Sequence, residues 1–403
     1  MPERRIVLEL CGTIDPRNIE TYLQRGGYLA LKKARDMGPA AVIAEIKSSG
    51  LRGRGGAGFP CGVKWESARA ASGSEKFVIC NADEGEVGTF KDRYIIQHDP
   101  YSFLEGLAIA ACAIGAAKAY VYVRGEYRFL LDGLKEAIGQ AAVEGLIDIP
   151  IEIREGAGAY VCGEESALMN SIEGKRGEAR FRPPYPPESG LFGQPTIVNN
   201  VETLMNIPRI IMRGAAWFSN IGTAQSTGTK VFSVSGDVKR PGVYELALGS
   251  TLSDLLALAG AEDVKLVQIG GATGGIVPGS MTTTPLSYET VLGSGAVTVL
   301  NRTRDVIDFV YRSMEFLNDE SCGECTPCRE GTGVMLEVLK RLKNGDGVEE
   351  DINTLEELSA VMMDSSLCGL GQAAPVPVLD TLKYFRNDYE TRIKQSIFLR
   401  RLR

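Results

Sequence analysis

The chain has 403 residues, of which 44% are hydrophobic and 24% charged, as in an ordinary globular protein. Asp and Glu total 51 against 44 Lys and Arg, and the net charge of −7 argues against a general nucleic-acid-binding surface. The longest apolar stretch, residues 107–117, is about half of the ~20 residues that a membrane span requires, and the first residues lack the apolar run of a signal peptide. We therefore expect a cytoplasmic protein with no membrane span and no nucleic-acid partner, divided into two to three domains of roughly 150 residues.

Short β-branched runs alternate with longer helical stretches in the first half of the chain. The predicted strands are residues 77–80, 119–123 and 149–153, and the predicted helices are residues 104–117 and 129–143. Strand and helix in alternation indicate a mostly parallel sheet with helices packed on it. Residues 1–226 are therefore predicted to form an α/β, Rossmann-like domain.

The pattern changes after a polar, glycine-containing break near residue 226. The predicted elements are a strand at residues 230–236, a hairpin at 238–245, a helix at 252–259 and a strand at 266–270. Pro241 and Gly242 suit the hairpin turn, and Thr251 is placed to cap the helix. We predict a small β-grasp (ubiquitin-like) domain of the soluble-ligand-binding type at residues 227–305.

Helical periodicity dominates from residue 306 to the end. The predicted helices include residues 333–343, 352–363 and 374–389. Residues 306–403 are thus predicted to form an α-helical bundle, which ends in a basic tail with five positive charges over residues 391–403. The tail suits docking to a negatively charged partner, and a frayed terminal helix is the alternative.

Four of the nine cysteines are spaced as ligands of one metal centre. Cys322, Cys325 and Cys328 form a C-x2-C-x2-C run, and Cys368 follows from another predicted helix. Four thiolates are the ligand set of a [4Fe–4S] cluster and also of structural zinc. Zinc sites usually show two separated C-x2-C pairs, so the compact triple favours a single cluster and leaves zinc as the alternative.

A glycine-rich loop carries a G-x-G-x-x-G pattern that starts at Gly53. The ordinary dinucleotide fingerprint follows a strand and opens a helix, whereas residues 42–48 are predicted to be helical and Pro60 interrupts the residues after the loop. Residues without Cβ still allow a ring or a phosphate to approach backbone N–H groups, and a flexible surface loop is the alternative. Positive charges suited to phosphates are carried by Arg52, Arg54 and Lys64.

Polar residues follow the predicted strand at residues 77–80, where ligands bind in α/β sheets. They are Asn81, Asp83 and Glu84, for which a solvated acidic turn is the alternative. A second glycine loop, residues 156–163, leads through two glutamates into a predicted helix. Further amides and a hydroxyl suited to a polar cofactor tail belong to Asn199, Asn200 and Thr203.

These motifs together resemble the NADH-binding flavoprotein subunit of respiratory complex I and its relatives in soluble NAD-linked hydrogenases and formate dehydrogenases. The matching stretches occur in the family's order and cover nearly the whole chain. They are residues 53–64, 81–94, 156–170, 195–203, 239–246 and 320–331 and the segment around Cys368. The resemblance implies FMN, NAD(H) and one [4Fe–4S] cluster as cofactors.

The resemblance also implies residue roles. Contacts to FMN are expected from Gly53, Arg54, Gly55, Gly56, Lys64, Asn81, Asp83, Glu84, Asn199, Asn200 and Thr203. The surroundings of NADH are expected to be Phe59, Glu86, Tyr160, Gly163, Glu164, Glu165, Arg182 and Tyr185, with Glu164 and Glu165 as the candidate catalytic residues. The chain departs from the respiratory pattern at Arg182 and Tyr185, where that subunit has Lys and Phe, and at Ser67, where it has an aromatic residue.

The implied activity is hydride transfer between NAD(H) and FMN, followed by single-electron transfer through the cluster to partner subunits. A thioredoxin-like [2Fe–2S] subunit and an iron–sulfur catalytic subunit are the expected partners. Two alternatives stay open at this point. One is a metal-bearing assembly subunit with a decayed flavin site, and the other is a chain defined by its β-grasp domain as a docking module.

Overall fold

The computed structural model describes residues 3–393. Most of the predicted basic tail, residues 394–403, lies outside the described residues. Among the helices of residues 3–393, none combines the length and the apolar character needed to cross a membrane.

The first part of the chain alternates helices with four strands, as predicted. Its elements are α1 (Ile19–Leu23), α2 (Leu29–Met37), α3 (Pro39–Ser48), α4 (Cys61–Ala70), β1 (Phe77–Ala82), α5 (Lys91–His98), α6 (Pro100–Ile114), β2 (Lys118–Val123), α7 (Leu131–Val143), β3 (Ile151–Glu155), α8 (Glu165–Ile172), β4 (Thr196–Asn200), α9 (Val201–Arg213) and α10 (Ala215–Ser219). The predicted buried helix is α6, which starts a few residues earlier than predicted because Asp99 caps it through the Ser102 N–H.

The four strands form one parallel sheet in the order β3-β2-β1-β4. The chain moves outward from β1 through β2 to β3 and then returns to the other side of β1 with β4. The strand order therefore reverses between β1 and β4, and a crevice opens there at the carboxyl ends of the strands. Close helix packing supports the sheet, since a Cβ on Gly106 of α6 would lie 2.1 Å from the Leu204 carbonyl oxygen of α9.

A second, mixed sheet comes next in the chain. Its elements are β5 (Thr229–Gly236), β6 (Gly242–Ala247), α11 (Leu252–Ala259), β7 (Val264–Ile269), β8 (Gly275–Pro278) and β9 (Ala296–Asn301). The strand order is β6-β5-β9-β7-β8, with β5 and β9 parallel at its centre. Thr251 caps α11 through a capping box, as predicted. The hairpin differs from the prediction, because β5 itself pairs with β6 and Pro241 lies in their connection.

The last part is helical and carries the four spaced cysteines. Its helices are α12 (Val306–Asp319), α13 (Thr326–Lys343), α14 (Glu350–Ser365), α15 (Gly369–Ala373) and α16 (Val376–Tyr384). The single helix predicted at residues 374–389 is interrupted at Phe385, whose φ of −132° is not helical. Apolar side chains of these helices form their own core, separate from the core of the parallel sheet.

Candidate functional site

The crevice between β1 and β4 is lined by the polar residues predicted from the sequence. Asn81 at the end of β1 lies in register with Asn200 at the end of β4. The Asn81 side chain is fixed on both sides, because Nδ2 donates to the Gly163 carbonyl at 2.9 Å and Oδ1 accepts from the Asp83 N–H at 3.0 Å. The crevice thus joins the ends of two strands to the second glycine loop.

Two buried polar atoms in this crevice have no hydrogen-bond partner within the described part of the chain. They are Asp83 Oδ2 and Asn199 Nδ2. The Asn199 oxygen is already engaged, since it accepts from the Cys61 thiol at 3.5 Å. Burial raises the pKa of the Asp83 carboxyl to about 7. Unpartnered buried polar groups are costly, so an acceptor and a donor held ready here fit a polar ligand.

The first glycine loop reaches this crevice from the side. Helix α3 precedes the loop, as predicted, but α4 begins at Cys61 directly after Pro60, so a helix does follow. A Cβ on Gly55 would lie 3.1 Å from the Asn200 Cβ, which confirms the close approach expected of this loop. The backbone N–H of Arg54 donates to the Thr203 hydroxyl at 2.8 Å.

The arginines of the loop face away from the crevice, contrary to the expectation that they supply charge for a phosphate. The Arg54 guanidinium is fully buried and donates to the carbonyls of Thr227 at 2.6 Å and Thr229 at 3.0 Å. Arg52 lies over the ring of Tyr288, 4.1 Å from its centroid. Both side chains therefore bind the loop to the second sheet, and Arg54 can serve the crevice through its backbone alone.

Glu84 and Asn200 also differ from simple ligand contacts. The Glu84 carboxylate accepts the N–H groups of Asp92 at 2.8 Å and Arg93 at 3.0 Å, at the start of α5. Asn200 donates to the Asp92 carboxylate at 2.6 Å and caps α9 by accepting from the Glu202 N–H at 3.0 Å. Both side chains are thus held by helix N-termini, where an anionic or oxygen cap is favourable, and they shape the crevice wall.

A buried ionic network behind this wall was missed by the sequence analysis. Lys91 Nζ lies 2.9 Å from Glu202 Oε2 and 2.8 Å from Asp92 Oδ1, and Lys230 of β5 pairs with the same Glu202 oxygen. Burial lowers the pKa of Lys230 to about 7. The one signal in the sequence was Lys230 at the start of an otherwise apolar strand. The network joins the second sheet to the crevice.

The two candidate catalytic glutamates lie together at the start of α8. Glu164 caps this helix by accepting the N–H groups of Ser166 at 2.9 Å and Ala167 at 3.0 Å, and its other oxygen accepts from Arg182. Glu165 lies 3.5 Å from Arg182 Nη2 and 3.9 Å from Lys64 Nζ. Glu165 is therefore held between two cations at the edge of the crevice.

The remaining predicted NADH residues divide into an exposed and an enclosed group. Phe59 and Tyr185 are 54% and 53% exposed, which leaves their rings open to a ligand. Tyr160 and Glu86 are in contact, since the Tyr160 hydroxyl donates to Glu86 Oε2 at 2.6 Å. The Tyr160 N–H donates to Glu320 at 3.0 Å, two residues before the first cysteine of the helical part.

The four spaced cysteines line one pocket. They are Cys322, Cys325, Cys328 and Cys368, and all four are free thiols. The Leu367 N–H donates to Cys325 Sγ at 3.5 Å, and the start of α13 directly after Cys325 favours negative charge. Burial raises the pKa of the Cys328 thiol to about 11. Within residues 3–393, no three Cys, His, Asp or Glu side chains converge closely enough to hold a single metal ion.

Two arginines hold the loop that carries the first cysteines. Arg176, from the segment between α8 and β4, donates to the Cys322 carbonyl, and Arg329 donates to the Gly323 carbonyl at 2.8 Å. Val161, in the 3₁₀ turn Tyr160–Gly163, lines the cysteine pocket. The glutamate-bearing loop and the cysteine loop are therefore neighbours.

Comparison with known proteins agrees with this geometry. Three family profiles match in order: the Nuo51 FMN-binding domain at residues 46–209, the SLBB domain at 231–272, and the NADH-ubiquinone oxidoreductase-F iron-sulfur binding region at 308–392. NADP-reducing hydrogenase subunit HndC of Solidesulfovibrio fructosivorans is 43% identical, with 96% of this chain and 83% of that protein covered. The NADH-quinone oxidoreductase F 2 subunit of Rhizobium meliloti is 41% identical, with 94% and 96% covered.

A solved structure gives the same result. The H2-reduced NAD+-reducing [NiFe]-hydrogenase superposes with a TM-score of 0.87 at 41% identity over 91% of this chain. This chain spans 64% of that hydrogenase chain.

The parallel sheet with its polar crevice and the four-cysteine loop define an NADH-oxidising iron–sulfur flavoprotein. The chain belongs to the family that contains the F-type subunits of NADH-quinone oxidoreductase and the flavoprotein subunits of NAD-reducing hydrogenases. The predicted family, FMN and the [4Fe–4S] cluster are confirmed, and the zinc alternative is dropped because the matched region is an iron–sulfur one. The chain is thus an oxidoreductase subunit, and the alternatives of a non-catalytic assembly subunit and a docking module are set aside.

Proposed function

We propose that the crevice between β1 and β4 holds FMN. The observation that carries this proposal is the pair of buried, unpartnered atoms, Asp83 Oδ2 and Asn199 Nδ2. The bound flavin supplies the hydride acceptor and releases electrons singly. Around it, the backbone of Gly55 and Gly56 leaves room for a close approach, and Lys64 is the cation of the predicted set that remains at the crevice edge.

NADH lies, in this proposal, beside Glu164 and Glu165. Phe59 and Tyr185 offer exposed rings for stacking, and Glu86 with Tyr160 closes the inner end. Glu165 orients the nicotinamide, because its carboxylate is already fixed by Arg182 and Lys64 and accepts further hydrogen bonds without rearrangement. Fixed acceptors cost no reorganisation when the substrate binds.

The turn Tyr160–Gly163 connects this site to the cluster. Its Gly163 carbonyl accepts from Asn81 in the crevice at 2.9 Å, while Val161 lines the cysteine pocket. One turn of four residues thus touches both sites. The proposed cluster ligands are Cys322, Cys325, Cys328 and Cys368.

The domain organisation and the partners are part of the same proposal. The parallel sheet, the mixed sheet and the helical part correspond to domains at residues 1–226, 227–305 and 306–403, in agreement with their separate cores. We expect assembly with a thioredoxin-like [2Fe–2S] subunit and with an iron–sulfur catalytic subunit. Relatives that are named as hydrogenase subunits or quinone oxidoreductase subunits support a multi-subunit complex.

Replacement of Glu165 tests the nucleotide site. Glu165→Gln is expected to slow the reduction of FMN by NADH about tenfold or more, because a charge-assisted contact is lost, while the FMN content stays unchanged. Rapid mixing under anaerobic conditions, followed by flavin absorbance, measures the rate. Glu262→Gln, an exposed glutamate paired with Lys239 of the mixed sheet, serves as the control. An unchanged reduction trace in Glu165→Gln would remove this residue from the site.

A further inference from the structure

The loop between β7 and β8 is the third glycine-rich stretch of the chain, and none of the predicted site residues belongs to it. It begins with Gly270 and Gly271, whose φ angles of 104° and 83° are left-handed. Left-handed backbone favours glycine, so the loop is built for one conformation. Its contacts show which neighbouring group that conformation serves.

The loop binds the Glu86 carboxylate of the first sheet. The Ala272 N–H donates to Glu86 Oε1 at 2.7 Å, and the Thr273 hydroxyl lies 3.4 Å from Oε2. The Tyr160 hydroxyl donates to the same Oε2 at 2.6 Å. One carboxylate therefore joins the mixed sheet, the crevice and the turn beside the cysteine pocket.

Gly271 has a steric requirement as well as a conformational one. A Cβ at this position would lie 2.0 Å from Glu86 Cγ and 2.3 Å from its Oε1. Any side chain would push the glutamate away from the Ala272 N–H. The close approach explains why glycine stands directly before the residue that donates to Glu86.

The same face of the mixed sheet supports the first glycine loop. The Tyr288 hydroxyl donates to the Gly53 carbonyl at 2.5 Å, and the Ser294 and Thr89 hydroxyls lie 3.3 Å apart. The mixed sheet thus contacts the crevice loops at several independent points. Its role extends beyond joining the two other parts of the chain.

We propose that the loop 270–273 of the mixed sheet forms a wall of the nucleotide site and that Gly271 is a positioning residue for Glu86. The proposal rests on the proposed function, which places Glu86 beside NADH. The carboxylate oxygens keep free lone pairs after accepting from Ala272 and Tyr160, so Glu86 accepts a further donor from the nucleotide in a fixed orientation. The class of ligand is a dinucleotide whose amide or hydroxyl donates to this carboxylate.

Equilibrium binding of NAD+ to the FMN-loaded protein, measured by calorimetry, tests the proposal. Gly271→Ala is expected to raise the Kd for NAD+ about tenfold or more, because a positioned hydrogen bond to a charged group is lost, with FMN content unchanged. Gly260→Ala is the matched control, since Gly260 also has a left-handed φ, 67°, in the mixed-sheet region but ends α11. This control is expected to leave the Kd unchanged.

A double-mutant cycle separates positioning from general damage. In a Glu86→Ala background, Gly271→Ala is expected to have no further effect on the Kd, because no side chain remains to be displaced. Equal losses in both backgrounds, or wild-type binding by Gly271→Ala, would overturn the proposal. If Gly271→Ala does not fold, Thr273→Val must raise the Kd about twofold or more in the wild-type background alone. A wild-type protein that does not bind NAD+ would instead refute the proposed function.

Discussion

The crevice of the parallel sheet and the cysteine loop of the helical part are two sites built in different ways. The crevice combines the ends of β1 and β4, two glycine loops and a wall from the mixed sheet. The cysteine pocket takes three of its four sulfurs from the seven residues 322–328 and the fourth from Cys368. One site depends on long-range packing, and the other depends mostly on one loop.

The two sites also differ in how their polar groups are satisfied. In the crevice, Asp83 and Asn199 keep buried atoms without partners among the described residues, and most neighbouring polar groups are fixed by other elements. At the cysteine loop, nearby groups such as Arg329 hold the backbone carbonyls. A change far from the crevice is therefore expected to weaken it, whereas the cluster loop responds to local changes.

Replacement of one cysteine gives the largest expected effect and tests the independence of the two sites. Cys368→Ser is expected to abolish the cluster, with the iron content falling from about four atoms per chain towards zero, while FMN stays bound. Iron analysis and flavin absorbance of anaerobically purified protein measure both. Cys112→Ser, at a free cysteine of α6, should keep both cofactors. Joint loss of flavin and iron in Cys368→Ser would show that the sites are not independent.

The buried ionic network tests whether the crevice depends on the mixed sheet. Glu202→Ala leaves Lys91 and Lys230 without their shared carboxylate and is expected to lower the free energy of unfolding by about 3–5 kcal/mol. It should also weaken FMN binding, because Asn200 shares Asp92 with Lys91. Urea unfolding of the FMN-free protein and flavin titration measure the two effects. Glu262→Ala, which breaks the exposed pair with Lys239, should cost less than about 1 kcal/mol, and an equally small effect of Glu202→Ala would contradict the dependence.

The unpartnered carboxylate of Asp83 predicts a smaller, pH-dependent effect of opposite sign on stability and binding. Its folded-state pKa, raised to about 7 by burial, lies above the ordinary value of 3.8, so its favourable contribution to folding is complete below about pH 4 and is lost as the pH rises through 7. Asp83→Asn removes the buried charge and is expected to stabilise the FMN-free protein by about 1–3 kcal/mol at pH 8, and by less towards pH 5.

The same substitution is expected to weaken FMN binding at pH 8 about tenfold, because the ligand loses a charged acceptor. Unfolding curves and flavin titrations at pH 5 and pH 8 check both parts. Destabilisation of the FMN-free protein at pH 8 would show that the Asp83 carboxylate is satisfied without a ligand.

Much of the crevice could be predicted because its residues follow recognisable local patterns. Asn81 and Asp83 stand directly after a β-branched run, and parallel strands bring such positions to one edge. The role of the Arg54 side chain could not be predicted, because its partners are carbonyls about 170 residues further along the chain. Glu84 was placed at the correct edge, but its capping of α5 depends on where that helix begins.

Local spacing alone indicated the candidate cluster ligands, the glycine loops and the alternation of strands and helices, because each is set by contacts between residues close in the chain. Only the tertiary structure decided which charges meet. Lys230 and Glu202 became one buried pair, Gly271 came against Glu86, and Tyr160 joined the crevice to the cysteine pocket through Glu320. Such contacts join separately folded surfaces, and burial rather than sequence spacing gives them their energy.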